Sequence, residues 1–287
     1  MTESIQERIA AIQETLTRAE RQLAEAILAN YPVSGLGSIT RLAEAADVST
    51  PTVARMVQKL GYSGFPEFQD ALRQELEARI SNPIAKRDRW TDAAPDAHIL
   101  NRFTDKATQN IRQTIAHLDP GAFDEAARLL ADEARAISVT GGRITHAVSE
   151  YLYLHLQVIR PRVGHIRSTA NSWPHDLLDM TAGDVVVIYD VRRYENATLR
   201  LAEMAERRGA EIILFTDQWQ SPVARHASNV FSCRIEAPSA WDSGVATLLL
   251  TECLIAAVQE IRWDSTSDRM RRLEEIFDES RTFRKFV

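Results

Sequence analysis

Apolar residues recur at i, i+3, i+4 and i+7 twice in quick succession. Ile39, Leu42, Ala43 and Ala46 form the first set, and Val53, Met56, Val57 and Leu60 the second. Each spacing lines one face of a helix. About three residues, Asp47, Val48 and Ser49, separate the two helices that these sets imply, so residues 38–60 predict two short helices around a tight turn. Ser49 or Thr50 can cap the second helix, and Pro51 suits its first turn, where a missing N–H costs no bond. Val48 is the apolar residue that pins the turn. The pattern reads as a helix-turn-helix, although two ordinary packed core helices share the spacing.

The flanking chain extends a helical domain over residues 1–80. Thr17-x-x-Glu20 is a capping box, and a helical pattern follows through Leu23, Ile27 and Leu28 to Asn30. Pro32, Gly35 and Gly37 break it. After a turn at Gly61–Pro66, Phe65, Phe68 and Leu72 open a helix reaching about residue 80. Residues 81–97 hold two prolines, mixed charge and no periodicity, and read as a linker. Lys86, Arg87 and Arg89 within it either touch phosphates or are simply solvated.

The pattern changes in residues 98–287. Helical stretches at 98–118 and 121–133 precede a strand at 136–140, a helix at about 144–159 and a strand near 163–166. A strand at 184–189, a helix at 195–208, a strand at 211–215, a short helix at 221–227 and a strand at 229–234 follow. A long apolar helix at 244–262 and a charged helical segment at 265–286 end the chain. Uninterrupted apolar strands alternating with helices predict a mostly parallel sheet sandwiched by helices. The expected fold is thus two domains, an all-α helix-turn-helix domain followed by an α/β domain.

Composition narrows the function classes. The 45% hydrophobic and 26% charged residues are those of a globular chain. No apolar run reaches the roughly 20 residues that cross a bilayer, and the polar start is no signal peptide. A cytoplasmic location without membrane partners is expected. Cys233 and Cys253 form no CxxC pair, and no HExxH occurs, so neither metal nor cofactor is expected. The net charge is −6, and residues 1–80 carry 8 Lys/Arg against 11 Asp/Glu. Any DNA binding must therefore rest on local placement and on paired copies.

With these parts in order, the chain resembles the RpiR-type (MurR/RpiR) bacterial regulators over nearly its full length. The resemblance is carried by Ile39-x-x-Leu42-Ala43, Val48-Ser49-x-x-Thr52-Val53-x-Arg55 and Lys59-Leu60-Gly61-Tyr62-x-Gly64-Phe65. In the second half it is carried by Gly183-Asp184-Val185-Val186-Val187-Ile188, by Arg208-Gly209-Ala210-x-Ile212-Ile213, and by Thr216-Asp217-x-x-x-Ser221-Pro222-Val223-Ala224. It implies an N-terminal DNA-binding domain and a C-terminal sugar isomerase (SIS) domain. The helix at 50–60 would then enter the major groove. Its face opposite Val53, Met56, Val57 and Leu60 carries Pro51, Arg55 and Gln58, flanked by Thr52 and Lys59. Arg55 can serve guanine and Gln58 adenine. Ser49, Thr50 and Lys59 are placed to position phosphates.

SIS domains that bind sugar phosphates usually offer a G-x-G-x-S loop and an S-x-S-G-x-T loop after strands. Here the first reads Gly141-Gly142-Arg143-Ile144-Thr145, and the second Asp190-Val191-Arg192-Arg193-Tyr194-Glu195-Asn196. The hydroxyl cradle is largely gone. Arg143, Arg192 and Arg193 can instead converge as forks for carboxylate or phosphate. Tyr194 can stack or hydrogen-bond, and Asp190 can accept from hydroxyls or hold an arginine. A small anionic effector is expected, either a phosphorylated compound or an organic acid. The alternative is that Arg192 and Arg193 pair with acids across a subunit interface. Trp241-Asp242-Ser243, Trp173, His165 and His175 are further candidates for the cleft.

A competing class is an isomerase with His146, Glu150 or His155 as acid and base. The altered phosphate loop and the attached DNA-binding domain argue against it. The expectation is a regulator, not an enzyme, acting as a homodimer or tetramer on double-stranded operator DNA.

Overall fold

The computed structural model describes residues 3–80, 98–167 and 172–283. The segment read as a linker, 81–97, lies outside them. The chain divides into two compact units, Met1–Ala85 and Lys86–Val287.

The first unit is helical: α1 (Ile5–Ala11), α2 (Arg18–Ala29), α3 (Ile39–Ala45), α4 (Thr50–Lys59) and α5 (Phe65–Ile80). The periodic apolar positions become one core, with Leu42, Val53, Met56 and Val57 buried against Leu23, Ile27, Phe68 and Leu72. Helix α1 escaped the sequence reading. It is seven residues long and brings only Ile5 and Ile9 to the core, too few for a period to stand out. Its signal was the capping box Ser4-x-x-Glu7. Glu75 on α5 accepts from the Ile5 N–H at 2.9 Å and from the Tyr31 hydroxyl, which fastens α1 to the bundle.

The second unit begins with α6 (Ile99–Ala116) and α7 (Pro120–Ala131). There follow β1 (Ile137–Gly141), α8 (His146–Ile159), β2 (Val163–His165), the short α9 (Trp173–Asp176), β3 (Val185–Tyr189) and α10 (Asn196–Glu206). It closes with β4 (Glu211–Asp217), a 3₁₀ turn (Pro222–His226), β5 (Asn229–Cys233), α11 (Val245–Ile261) and α12 (Trp263–Ser280). Among the described residues five strands form one sheet in the order β2-β1-β3-β4-β5, every pair parallel.

The chain steps from β1 outward to β2, then returns to β3 on β1's other side and proceeds to β4. Right-handed crossovers therefore place α8 and α10 on opposite faces. On the α10 face, Val186, Ile188, Ile212 and Leu214 pack against Leu201, Ala202 and Ala205. On the other, Tyr189 stacks on Phe215 at 4.6 Å between ring centroids, and Phe231 follows at 5.1 Å. The chain reverses direction between β1 and β3, and such sheets place ligands in the crevice at the carboxyl ends of the strands at that point.

One buried charge locks the base of this unit. Arg160, fully buried at the end of α8, donates to the carbonyls of Leu130 at 2.7 Å and Asp132 at 2.8 Å, and to that of Arg135. The first two belong to the last turn of α7, whose carbonyls have no partner within the helix. Burial first, and then the neighbouring Arg262, lower its pKa to about 10, which leaves it charged at neutral pH.

Candidate functional site

Helices α3 and α4 each end in a left-handed residue. After α3, Asp47 takes φ +51°, its N–H bonding to Glu44 O at 3.2 Å and that of Val48 to Ala43 O at 3.0 Å. This paired closure stops the helix in one turn. Asparagine and aspartate tolerate that conformation better than most residues, and glycine best. Ser49 then caps α4 by accepting the Thr52 N–H, and its hydroxyl meets that of Thr52 at 2.9 Å. Val53, Met56 and Val57 turn inward, while Ser49, Arg55 and Gln58 are exposed and Thr50 and Thr52 half-buried.

Lys59 is differently placed from the other candidates on this helix. Its ammonium donates to Thr15 O at 2.7 Å and pairs with Glu20 at 3.2 Å. This ties it to the chain entering α2. Arg8 of α1 donates to Leu60 O at 2.8 Å and lies 5.0 Å above the Tyr62 ring. The carboxyl end of α4 is thus anchored by α1 and α2, and its amino end is displayed.

In the α/β unit, Gly141 ends β1 directly beside Tyr189, the end of β3. A Cβ on Gly141 would come within 2.7 Å of the Thr145 carbonyl, so the loop closes only on glycine. The Gly142 N–H and the Thr145 hydroxyl both donate to Tyr189 O, at 3.2 and 2.7 Å. Arg143 is exposed, and its backbone N–H donates to Glu195 Oε1 at 3.0 Å. A Cβ on Gly142 would also lie 3.0 Å from that oxygen. A carboxylate of the protein therefore rests on the glycine loop.

Set against S-x-S-G-x-T, Asp190 takes the first serine place, Arg192 the second, Arg193 the glycine and Glu195 the threonine. Arg193 adopts φ +62°, the left-handed conformation that glycine takes readily. Two buried carboxylates pin this loop. Asp190 accepts from the Ser221 hydroxyl and the Glu195 N–H. Asp217, at the end of β4, accepts from the Arg192 N–H at 2.6 Å, the Tyr194 hydroxyl at 2.8 Å and the Trp219 N–H at 2.9 Å.

The three guanidiniums do not behave alike. Arg143 and Arg193 are exposed. Arg192 is buried, 4.3 Å from the Trp219 ring centroid, with Nη1 3.5 Å from Asp242. It is turned into the protein, where it joins the β3 loop to the segment preceding α11. Glu195, Asp217 and Trp219 were not singled out as site residues from sequence, because only the folded sheet brings them to the two loops.

Burial, with the charges of Asp217 and Glu195, pushes the Asp190 carboxyl up to about 6, despite the donors that hold it. Such a group binds its proton more tightly folded than unfolded. Its stabilising effect is complete below about pH 4 and is lost as pH rises through about 6. Asp190→Asn should therefore remove a fall in stability on the order of 2–3 kcal/mol across that window. Urea melts of parent and variant from pH 4 to 7 test this, and parallel curves would refute it. Asp184 titrates the other way. Burial raises its carboxyl, but the donors at Thr181 and Ala136 outweigh this and hold it low, which is why the comparison must be with the variant.

His146 and His165 have ring centroids 4.6 Å apart, and Ser149 Oγ lies 2.9 Å from His165 Nε2. Burial, then the charge of His146, lowers the His165 pKa. Glu150, His155 and His175 are exposed, Trp173 is half-buried, and Trp241 is exposed. Among the described residues no three His, Cys, Asp or Glu side chains gather as a metal site. No described helix is long and apolar enough to cross a membrane.

Comparison with known proteins agrees with this architecture. Residues 3–79 match the model of the helix-turn-helix domain of the rpiR family, and residues 129–257 match that of the SIS domain. The chain is 26% identical to the HTH-type transcriptional regulator HexR of Escherichia coli, over 96% of this chain and 94% of that one. It is 27% identical to HexR of Pseudomonas aeruginosa, with the same coverage of both. Among solved structures, the Vibrio vulnificus NanR protein complexed with ManNAc-6P superposes with a TM-score of 0.56 at 19% identity, covering 96% of this chain and 98% of NanR. The sugar isomerase domain of an RpiR transcription factor from Sphaerobacter thermophilus superposes with a TM-score of 0.58 at 20% identity, covering 62% and 99%.

Proposed function

The chain belongs to the RpiR-type transcriptional regulators, an rpiR-family helix-turn-helix ahead of a SIS domain, and we propose that a small anionic metabolite in its β1/β3 crevice controls its hold on operator DNA. The observation that carries this reading is the placement of Arg143 and Arg193. Both are exposed on loops that follow the carboxyl ends of adjacent parallel strands. Gly141, Gly142 and Thr145 shape the first of these loops, and Asp190, Arg192 and Tyr194 the second. The full-length likeness to curated transcriptional regulators supports the DNA-binding half of the reading, as does the exposure of Arg55 and Gln58.

In this reading Arg55 and Gln58 meet base edges, and Ser49, Thr50 and Thr52 meet the backbone. A homodimer or tetramer supplies paired recognition helices to a two-fold site. The first unit is acidic overall, so one copy holds DNA weakly. The effector acts by binding one arrangement of the assembly better than another, since equal affinity for both would shift nothing. The chain performs no chemistry on the metabolite.

The test begins with a DNA fragment selected from a genomic library by the full-length protein. Arg55→Ala should weaken its binding by about 1–3 kcal/mol and relax preference at one base pair. Operator affinity of the parent should change on adding members of an anionic metabolite panel, and Arg143→Ala should abolish that response. An unchanged operator affinity across the panel would sink the effector reading. An unchanged affinity for Arg55→Ala would remove that residue from the base-reading set.

A further inference from the structure

Phosphate-binding loops work because backbone N–H groups converge with no partner of their own and wait for an acceptor. At this crevice four of those groups are already engaged. The Gly142 N–H is taken by Tyr189 O, that of Arg143 by Glu195, that of Arg192 by Asp217 and that of Glu195 by Asp190. The Thr145 hydroxyl is spent on Tyr189 O. Among these acceptors Glu195 has a distinct position. It begins α10 yet caps none of that helix's N–H groups with its side chain. Its carboxylate crosses instead to the other loop and lies where the glycines leave room.

We propose that Glu195 is a specificity-determining residue, a resident anion that occupies the glycine loop and excludes phosphate from it. A phosphate ester entering there meets a fixed negative charge and finds the Arg143 N–H already taken. The anionic group of the effector is then a carboxylate, gripped at the rim by Arg143 and Arg193, and the effector is not a phosphorylated compound. The proposal rests on the crevice being the effector site and narrows what that site accepts. Asp190 and Asp217 contribute by holding the second loop so that Glu195 faces the first.

The experiment uses full-length protein with inorganic phosphate and glucose 6-phosphate as probes, followed by titration calorimetry and by thermal shift. The parent should show no saturable binding of either. Glu195→Gln keeps the shape and removes the charge, and should gain affinity for both probes by about tenfold or more. Glu195→Thr, which restores the hydroxyl of the S-x-S-G-x-T pattern, should gain as well and serves should the first variant fold poorly. A parent that binds the probes as tightly as the variants would overturn the proposal, and so would variants that gain nothing. Failure of the effector reading shows elsewhere, as an operator affinity that no metabolite changes in the parent and no bound phosphate changes in Glu195→Gln.

Discussion

Arg160→Ala should destabilise the α/β unit by about 3–5 kcal/mol, the usual cost of breaking a buried, fully bonded charged group. The guanidinium is sealed from water and joins the end of α7 to the chain entering β1. Its loss leaves several carbonyls buried without donors, together with a void the size of the side chain. Arg160→Lys should recover little, because one ammonium cannot span carbonyls that a planar fork reaches together. Urea denaturation followed by circular dichroism would show the transition of this unit moving to lower denaturant. A change below about 1 kcal/mol would mean that water replaces the guanidinium at those carbonyls.

The second large effect is expected at Asp217. Asp217→Ala strands the Arg192 and Trp219 N–H groups and the Tyr194 hydroxyl, each buried donor costing about 1–3 kcal/mol. Part of this is offset, because burial raises the pKa of the carboxyl and so already disfavours its charge. A net loss of about 3 kcal/mol follows. The loop carrying Glu195 should loosen with it, so the variant should lose its response to effector while the helical unit keeps its fold. Asp217→Asn retains one acceptor and should fall between the two. Equal stability of parent and alanine variant would show that the loop is held by other contacts.

The fold was legible wherever a period was long. The paired sets at 39–46 and 53–60 and the continuous apolar strand at 184–189 each announced their element. Strand ends shifted by one or two residues: β2, β3 and β5 are each one residue shorter than expected, whereas β4 runs two residues further, to Asp217, because Thr216 and Asp217 face the neighbouring Ser232 and Cys233. Helix α1 was missed because two isoleucines make no period.

The candidate site was legible only in part. Glycines and arginines mark a loop by residue type, and the departure from the phosphate pattern is visible in the letters alone. Which arginine faces solvent is set by long-range partners. Arg192 is claimed by Trp219 and Asp242, which lie far along the chain. Glu195 looks like any first-turn acid until the sheet sets α10 beside the glycine loop.

The anchoring of Lys59 has a consequence for how the protein searches DNA. Each phosphate neutralised by a cation releases bound counterions, and log K falls with log salt by about 0.9 per contact. If Lys59 stays on Glu20 and Thr15 when DNA is bound, each copy should show one such contact fewer. The slope should then be smaller by about 0.9 per copy, and the nonspecific component smaller with it. In the proposed reading, discrimination then rests more on base edges and on paired copies than on phosphate charge.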